Sequence, residues 1–561
     1  MKKIYIVAVL VLSVFSFSCK KHLIELNENP NGADPATTNP NLVLATVLSE
    51  SGRAFVSLGY GDIAGVMQHT QKDGWGGGHN NYDWGNSNSW TGYYDILRNN
   101  QFVLDKAVAS GYPLHQGISL VMKSLMFGLL TDLWGDVPYS KALKADLGGA
   151  ENTFPSFDAQ QSVYDSILSN LSTANNLLSE SQFNSSTGSA DIFYNGDALK
   201  WRKFANSLAL RYYMRISEKL PDVAKSGIEK IVADPDKYPI ITSVSDEPTM
   251  TFPGNSDADS WPSYAIPQSD SSNFRRIKMC NTLVQAMVER NDPRLALWAA
   301  PVKISIYLDE SLSGSVDRTV SDTVIDGVLR SRVRVISQTF LSSKVLTASD
   351  INQNPFYVGL PVALNAPQTY NLSPDPQQSS KNPHVSWVND RFSKGDANGT
   401  KVRLITAAEV NFILAEAAQK GWNAGDAEER YNAAITASFN AWGIAAQAPA
   451  YLAGSEVAYD GTQEQIITQK WIASWSMATE AWFDWRRTGY PELHGVQGRT
   501  VAPELPLRFY YPIEERNLNN SNVETANKTL ESTQYSNFGG NGSQNSPWSR
   551  PWVVKGTGKP W

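Results

Sequence analysis

Apolar residues recur with a helical period along most of the first 235 residues. Leu42, Ala45 and Leu48, for example, follow the spacing that places side chains on one face of an α-helix. Asp158 and Asp197 stand where two of the helices begin and are predicted to act as their N-cap residues. We therefore predict that this half of the chain folds into helices with one face turned towards a core. They cover residues 40–55, 93–108, 116–134, 158–178, 197–220 and 222–233.

The pattern changes in the middle of the chain. Residues 236–270 are rich in Pro, Ser and Asp, and residues 350–400 are interrupted by repeated prolines, so both segments are predicted as loops. A helix is predicted at about 275–291. Apolar and polar residues alternate over 302–306 and 333–336, which is the pattern of β-strands. We expect a loop-rich insert that contains short strands.

Helical periodicity returns over residues 406–420, 426–442 and 464–488. Alanines on the first two of these helices would allow an antiparallel pair to approach closely, as in tetratricopeptide repeats. The predicted fold class is therefore mainly α, with a tetratricopeptide-like helix-pair scaffold. The predicted layout is a scaffold of about 41–235 and 403–490, a variable insert of about 236–402, and an irregular C-terminal segment, 491–561.

Four tryptophans share one face if residues 464–488 form a single helix, namely Trp471, Trp475, Trp482 and Trp485. They either form an exposed stacking platform or pack against neighbouring helices. An exposed stripe of four large rings would promote aggregation, so we favour packing.

Composition and charge exclude several classes of function. The 48 Lys and Arg against 55 Asp and Glu give a net charge of −7, which disfavours binding to nucleic acid. Two cysteines exclude a disulfide scaffold, and none of the six histidines begins an HExxH zinc motif. The GxSxG, GxxxxGK[ST] and GxGxxG motifs are also missing. We therefore predict a binding protein rather than an enzyme, with no cofactor and no metal.

The N-terminal segment has the pattern of a lipoprotein signal. A cationic Met1-Lys2-Lys3 precedes an apolar run that ends near Phe17, too short to span a membrane. Cys19 follows directly, where a bacterial lipoprotein is cleaved and lipidated. We expect a signal peptide at 1–18, a lipid on Cys19 and a polar tether over 19–40. The other possibility is an ordinary signal peptide with an incidental cysteine.

A second aromatic group lies in a stretch without helical period, residues 73–90, which is also rich in Gly, Asn and Asp. Loops run over the surface, so some of these rings should be accessible. Sugars stack on Trp and Tyr rings and pair their hydroxyls with Asn, Asp and Arg, and peptides use the same groups. The alternative is that these rings do not bind a ligand and anchor the loop to the scaffold. The candidate ligand-binding residues are Asp73, Trp75, Asn81, Tyr82, Trp84 and Trp90.

A similar group follows in the insert, where Trp261, Tyr264 and Phe274 accompany Asp270 and Arg275. Its composition again combines flat rings with groups that form hydrogen bonds. Trp261, Tyr264 and Arg275 are further candidate ligand-binding residues.

Several stretches, in order along nearly the whole chain, resemble the SusD/RagB family of nutrient-binding outer-membrane lipoproteins. The first pieces are Cys19 and Asn29-Pro30-Asn31, and the last is RFYYPIEER at 508–516. The pieces between them are WTGYYDILRNN at 90–100, TDLWGDVPYS at 131–140, DPRL at 292–295, YVGLP at 357–361, AEA at 415–417 and EAWFDWRRTG at 480–489.

The resemblance implies a fold of four tetratricopeptide-like helix pairs, in which a variable loop-rich part carries the ligand site. It also implies that the protein caps a SusC-like TonB-dependent outer-membrane transporter and delivers oligosaccharide, or in some members peptide, without catalysis. An outer-membrane location facing the cell exterior would follow. Members exported to the cell surface often carry acidic residues after the lipidated cysteine, whereas Lys20 and Lys21 follow Cys19 in this sequence.

Two other functions are compatible with the sequence. A secreted glycan-active hydrolase would also use aromatic loops to hold its substrate. A structural lid of the transporter would need little affinity for any ligand. The identity of the ligand, glycan or peptide, depends on loop geometry and is left open by the sequence.

Overall fold

The computed structural model describes residues 38–85, 88–181, 188–256, 259–262, 272–362, 364–396, 399–495, 504–538 and 544–561. The signal peptide, Cys19 and most of the tether lie outside these residues, as does Tyr264. The fold is mainly helical, as predicted, and its strands are short apart from one hairpin.

The N-terminal part consists of helices of which the five longest run for 18 residues or more. Asp197 caps one of them as predicted, since its side chain accepts a hydrogen bond from the Lys200 N–H. Asp158 does not act as an N-cap, because its carboxylate accepts from the N–H groups of Tyr139 and Ser140 instead. The helices are α1 (Pro40–Tyr60), α2 (Asp62–Val66), α3 (Gly77–Asn81), α4 (Thr91–Ser110), α5 (Pro113–Trp134), α6 (Ala150–Thr153), α7 (Gln160–Ser179), α8 (Ala198–Arg215) and α9 (Pro221–Ala233).

Helix α5 lies at the centre of this part. It is apolar on all sides, and 18 of its 22 residues are buried, so it packs against both α4 and α7. Gly128 allows helix α8 to approach, because a Cβ atom there would lie 1.9 Å from the Tyr212 hydroxyl oxygen. The pairing of α4 with α1 and of α7 with α8 extends the helical layer.

The insert contains short helices and most of the strands. The predicted helix at 275–291 is shorter than expected, because residues 277–279 form a strand. Strand β1 (Thr70–Lys72) lies in the N-terminal part. The elements of the insert are β2 (Thr249–Thr251), α10 (Ser272–Arg275), β3 (Ile277–Met279), α11 (Asn281–Glu289), α12 (Leu295–Trp298), β4 (Ser305–Leu308), β5 (Asp317–Ile325), β6 (Val328–Ile336), α13 (Gln338–Ser343) and, at its end, β7 (Lys401–Arg403).

The strands form three small sheets among the described residues. Strand β1 pairs with β3 and β2 with β7, both antiparallel. The first pair ties the insert to the N-terminal part, and the second joins segments near the two ends of the insert. The third sheet has the order β4-β6-β5, in which β5 and β6 form a long hairpin and β4 runs parallel to β6. Each predicted strand region contains a strand, although β4 begins later than predicted, at Ser305, and β6 begins earlier, at Val328.

The C-terminal part returns to helices. They are α14 (Ala407–Gln419), α15 (Ala427–Ala441), α16 (Ala448–Leu452), α17 (Gln463–Ala473), α18 (Ala478–Thr488), α19 (Ile513–Leu518) and α20 (Asn520–Asn527). The predicted close pair, α14 and α15, is confirmed. The last two helices show that the segment from 491 onwards is not wholly irregular.

The single helix predicted at 464–488 is wrong. The chain breaks between α17 and α18, and Ser476 adopts a left-handed conformation with φ of 67°. All four stripe tryptophans are nevertheless at most 2% exposed, so the prediction that they pack in the core is confirmed.

Charged side chains are buried where the helices meet. Arg487 on α18 forms two hydrogen bonds with Glu416 on α14, at 2.5 and 2.6 Å. On the neighbouring helices, Arg215 lies 3.1 Å from Asp132 of α5. These residues belong to the motifs TDLWGD, AEA and EAWFDWRRTG, or contact them directly. The motifs are therefore explained by the packing of the scaffold.

Candidate ligand-binding platform

Trp75 differs from every other tryptophan of the chain. All 17 tryptophans lie in the described residues, and Trp75 alone is exposed, with 76% of its surface accessible. Its backbone is left-handed, with φ of 53°, a conformation that costs energy for a bulky residue. Strained backbone positions cluster at functional sites, and here one carries an exposed ring, which makes this loop the first place to look for a ligand.

The loop that carries Trp75 is fixed by the sheet beneath it. Strand β1 pairs with β3, and the Asp73 N–H extends the pairing by donating to the Arg276 carbonyl at 3.0 Å. The Arg276 guanidinium lies 4.2 Å from the centre of the Trp75 ring. It also lies 3.3 Å from the Asp73 carboxylate. Trp75 therefore rests on a guanidinium that an acidic residue holds in place.

Lys278 forms the buried base of this arrangement. Its amine lies 3.3 Å from Asp73 Oδ2, and it donates hydrogen bonds to the carbonyls of Ser380, at 2.8 Å, and Arg275. Burial lowers the pKa of Lys278 to about 8, and the nearby Asp73 carboxylate opposes that shift. Burial likewise raises the pKa of Asp73, while Lys278 and Arg276 oppose the rise.

A second ring, Trp387, extends the site. It is half-buried, and its own N–H donates to the Asn382 carbonyl at 3.1 Å. Three cations contact it, with the Lys303 amine at 3.9 Å, the Arg275 guanidinium at 4.7 Å and the Lys278 amine at 5.2 Å from the ring centre. We call this surface the Trp75 platform and define it by Asp73, Trp75, Arg275, Arg276, Lys278, Lys303 and Trp387.

Most of the other rings predicted to be accessible are not. Tyr82, Trp84 and Trp90 are at most 5% exposed. Residues 77–81 form helix α3 rather than a loop, and the chain after it turns inwards. The Trp84 ring therefore lies edge-on to Phe509, with centroids 4.7 Å apart, and Trp90 lies against Trp134. Asn81, at the end of α3, is half-buried.

The second predicted group is divided between the core and the platform. Trp261 is half-buried, with its ring edge-on to Tyr60 at 6.1 Å, and Phe274 is buried. Only Arg275 reaches the platform, where its guanidinium donates to Asp390 at 2.7 Å. Tyr264 lies in residues 263–271, outside the described part of the chain.

Sequence reasoning missed four members of the platform. Arg276 and Lys278 stand close to the predicted Arg275, but the strand that brings them to Asp73 was read as part of a helix. Lys303 and Trp387 lie far away in the chain and reach the site only through tertiary folding. The lone tryptophan in the Pro- and Asn-rich stretch KNPHVSWVND was the one local signal.

Two other recesses do not include the platform. A surface recess of about 610 Å³ is bordered by Trp90, Tyr94 and Arg98. A cavity of about 50 Å³ lies between the helices beside Arg211, Glu247 and Arg403. Among the described residues, no group of His, Cys, Asp and Glu is arranged to hold a metal ion.

The fold and the platform together define a helical scaffold protein that carries an aromatic, cationic surface where its loop-rich insert meets the scaffold. A comparison with models of protein families supports the resemblance that the sequence motifs indicated. The chain belongs to the SusD-like family, described as starch-binding and associating with the outer membrane, which matches residues 41–315 and 315–512. No curated protein sequence matched.

Solved structures show the same fold. A SusD homologue from Bacteroides fragilis is 21% identical with a TM-score of 0.69, over 92% of this chain and all of that one. A protein from Bacteroides vulgatus is 25% identical with a TM-score of 0.68, and the match covers 92% of this chain and 100% of that one. A chitin-binding SusD homologue from Flavobacterium johnsoniae is 22% identical with a TM-score of 0.63, over 91% and 98%.

Proposed function

We propose that this protein is a non-catalytic outer-membrane lipoprotein that binds oligosaccharides through the Trp75 platform and delivers them to a SusC-like TonB-dependent transporter. The observation that carries the proposal is Trp75, the exposed tryptophan, held on a charged base by Asp73 and Arg276. The starch-binding description of the family and the chitin-binding relative support a glycan as the ligand.

The chemistry of the platform suits a sugar. The C–H face of a pyranose ring stacks on an exposed indole, and its hydroxyls need donors and acceptors at the edge. Arg276 supplies donors beside the ring, because its guanidinium lies 4.2 Å from the ring centre and its side chain remains 15% exposed. Arg275 and the exposed carboxylate of Asp390 supply further polar groups.

The proposal is tested by binding. The mature chain is titrated with a panel of oligosaccharides, and of peptides as the competing ligand class, by isothermal titration calorimetry. Trp75→Ala should weaken glycan binding by about 1–3 kcal/mol, a typical value for stacking on an aromatic side chain. Tyr112→Ala is the matched control, because Tyr112 is also an exposed aromatic residue, 49% accessible, but stands on the helical scaffold.

The control and the panel separate the alternatives. If peptides bind and no glycan does, or if both variants bind glycan as the parent does, the proposal fails. Release of reducing ends from any oligosaccharide would instead favour the hydrolase. A lid with little affinity would bind nothing on the panel.

Lipid attachment and the transporter are the remaining parts of the proposal. Palmitate should label the full chain and should not label Cys19→Ala. The lipidated protein should co-purify with a TonB-dependent barrel from outer-membrane fractions. Label retained in Cys19→Ala would contradict lipidation at Cys19. Recovery of the lipidated protein without any barrel would contradict its association with a transporter.

A further inference from the structure

We infer that the Trp75 platform selects anionic glycans, whose sugars carry carboxylate or sulfate groups, over neutral ones of the same length. The inference rests on the proposed function and adds the chemical class of the ligand. Its basis is the balance of charge at the platform, which is positive although the chain as a whole has a net charge of −7.

The first excess charge is at the buried base. Arg276 and Lys278 both approach the carboxylate of Asp73, at 3.3 Å each. One negative charge therefore faces two positive charges. The site is largely shielded from water, with Asp73 2% and Lys278 1% exposed, so solvent screens the remaining positive charge only weakly.

The second excess charge is at the rim. Lys303 is exposed, and no carboxylate forms an ion pair with it in the described part of the chain. Its amine is instead held 3.9 Å above the Trp387 ring. Arg275, a second cation on that ring, is neutralised by Asp390 at 2.7 Å. Lys303 is thus a free positive charge at a fixed place.

The two charges flank the surface on which a sugar would stack. Arg276 lies against Trp75, while Lys303 and Lys278 lie against Trp387, and Lys278 and Arg276 meet at Asp73. A neutral sugar would gain the stacking alone. A uronate or sulfated sugar would gain, in addition, hydrogen bonds that are strengthened by charge on both partners.

The experiment compares ligands that differ in charge and are matched in length. Malto- and chito-oligosaccharides serve as the neutral probes, and oligouronates and sulfated oligosaccharides serve as the anionic probes. The anionic probes should bind at least about tenfold more tightly at low salt, and this advantage should shrink as salt is added.

Lys303→Gln tests the assignment to the platform. It should weaken binding of the anionic probe about tenfold and weaken binding of a neutral probe much less, so that the preference for the anionic probe is largely lost. Lys237→Gln is the matched control, because Lys237 is also exposed and lies 5.5 Å from an aromatic ring, that of Tyr238, but stands in the turn after helix α9, where its carbonyl accepts from Arg202. It should change neither affinity.

The possible results separate this inference from the proposed function. If neutral glycans bind as tightly as anionic ones, in a manner that depends on Trp75, the inference is overturned and the proposed function stands. If the anionic probe binds equally well to Lys303→Gln, the inference is also overturned. If no glycan of either class binds, the inference and the proposed function are both overturned.

Discussion

At the scale of single residues, the surroundings of a tryptophan decide what it does. Trp75 and Trp84 are close in the chain and share the same Gly- and Asn-rich sequence context. The Trp75 ring faces solvent above Arg276, whereas the Trp84 ring is 3% exposed and contacts Trp482 and Phe509. Local composition cannot distinguish the two, because burial is fixed by helix α3 and the segments that pack on it.

The two tryptophans should therefore respond differently to truncation. Trp84→Ala should lower the free energy of unfolding by about 3–5 kcal/mol, as expected for removal of a buried aromatic side chain. Trp75→Ala loses only its contact with Arg276 and should cost less than about 1 kcal/mol. Urea denaturation followed by circular dichroism measures both, and equal losses would contradict the structure.

Glu247 gives a second test at this scale, through pH. Burial raises the pKa of its carboxyl from the ordinary value of 4.5 to about 7, although Arg403 lies 3.3 Å away and opposes the shift. Between about pH 4.5 and 7 the folded protein therefore holds a proton that the unfolded chain has lost. This group contributes stability that is present below pH 4.5 and is lost as the pH rises to 7.

Glu247→Gln removes that titration but retains an oxygen that accepts from the Ala407 N–H. Thermal unfolding midpoints are measured for both proteins from pH 4.5 to 7.5. The parent should lose stability with rising pH relative to the variant. Parallel curves would show that the carboxyl titrates normally.

At the scale of elements, the periodic helices could be predicted and the contacts that break them could not. The longer helices α1, α4, α5, α7, α8 and α9 bury apolar residues at helical spacing, and their centres were predicted correctly. The short helices α2, α3 and α6 were not predicted. The break between α17 and α18 contains no glycine or proline, so the sequence gives no local sign of it. Strand β3 was missed for a similar reason, since its pairing with distant β1 outweighs its local propensity.

The break between α17 and α18 leads to a prediction about Ser476. Its φ of 67° is unfavourable for branched side chains and free of strain for glycine. Ser476→Val should lower the free energy of unfolding by about 1–2 kcal/mol or more, whereas Ser476→Gly should be tolerated. Thermal denaturation of the two variants measures this, and equal midpoints would indicate that the helix is continuous.

The site itself was predicted only in part. Asp73, Trp75 and Arg275 were named from composition, because rings beside charged residues in a loop suit sugar binding. Trp387 and Lys303 were not, because only tertiary structure brings them to the same surface.

At the scale of the whole molecule, stability and binding rest on different residues. The buried ion pairs between helices hold the scaffold and include the residues of the family motifs, such as Asp132, Glu416 and Arg487. The Trp75 platform lies where the insert meets the scaffold and contains none of them. This separation would allow relatives with a common scaffold to carry different ligand sites.

Arg487→Met should affect the scaffold alone. It leaves Glu416 buried without its cation, which costs about 3–5 kcal/mol in the free energy of unfolding. Arg98→Met, which removes one member of an exposed pair with Asp95, should have little effect. Urea denaturation compares the variants, and the glycan affinity of the folded Arg487→Met protein should match that of the parent. A loss of affinity in the folded variant would contradict the separation.

The central claim, that a glycan stacks on Trp75, is tested most directly by fluorine NMR of protein labelled with fluorotryptophan. The resonance of Trp75 is identified by its loss in Trp75→Phe and then followed during titration with an oligosaccharide that binds. The account predicts that this resonance shifts with the ligand while that of Trp84, identified in the same way, stays in place. Saturable binding that leaves the Trp75 resonance unmoved would contradict it.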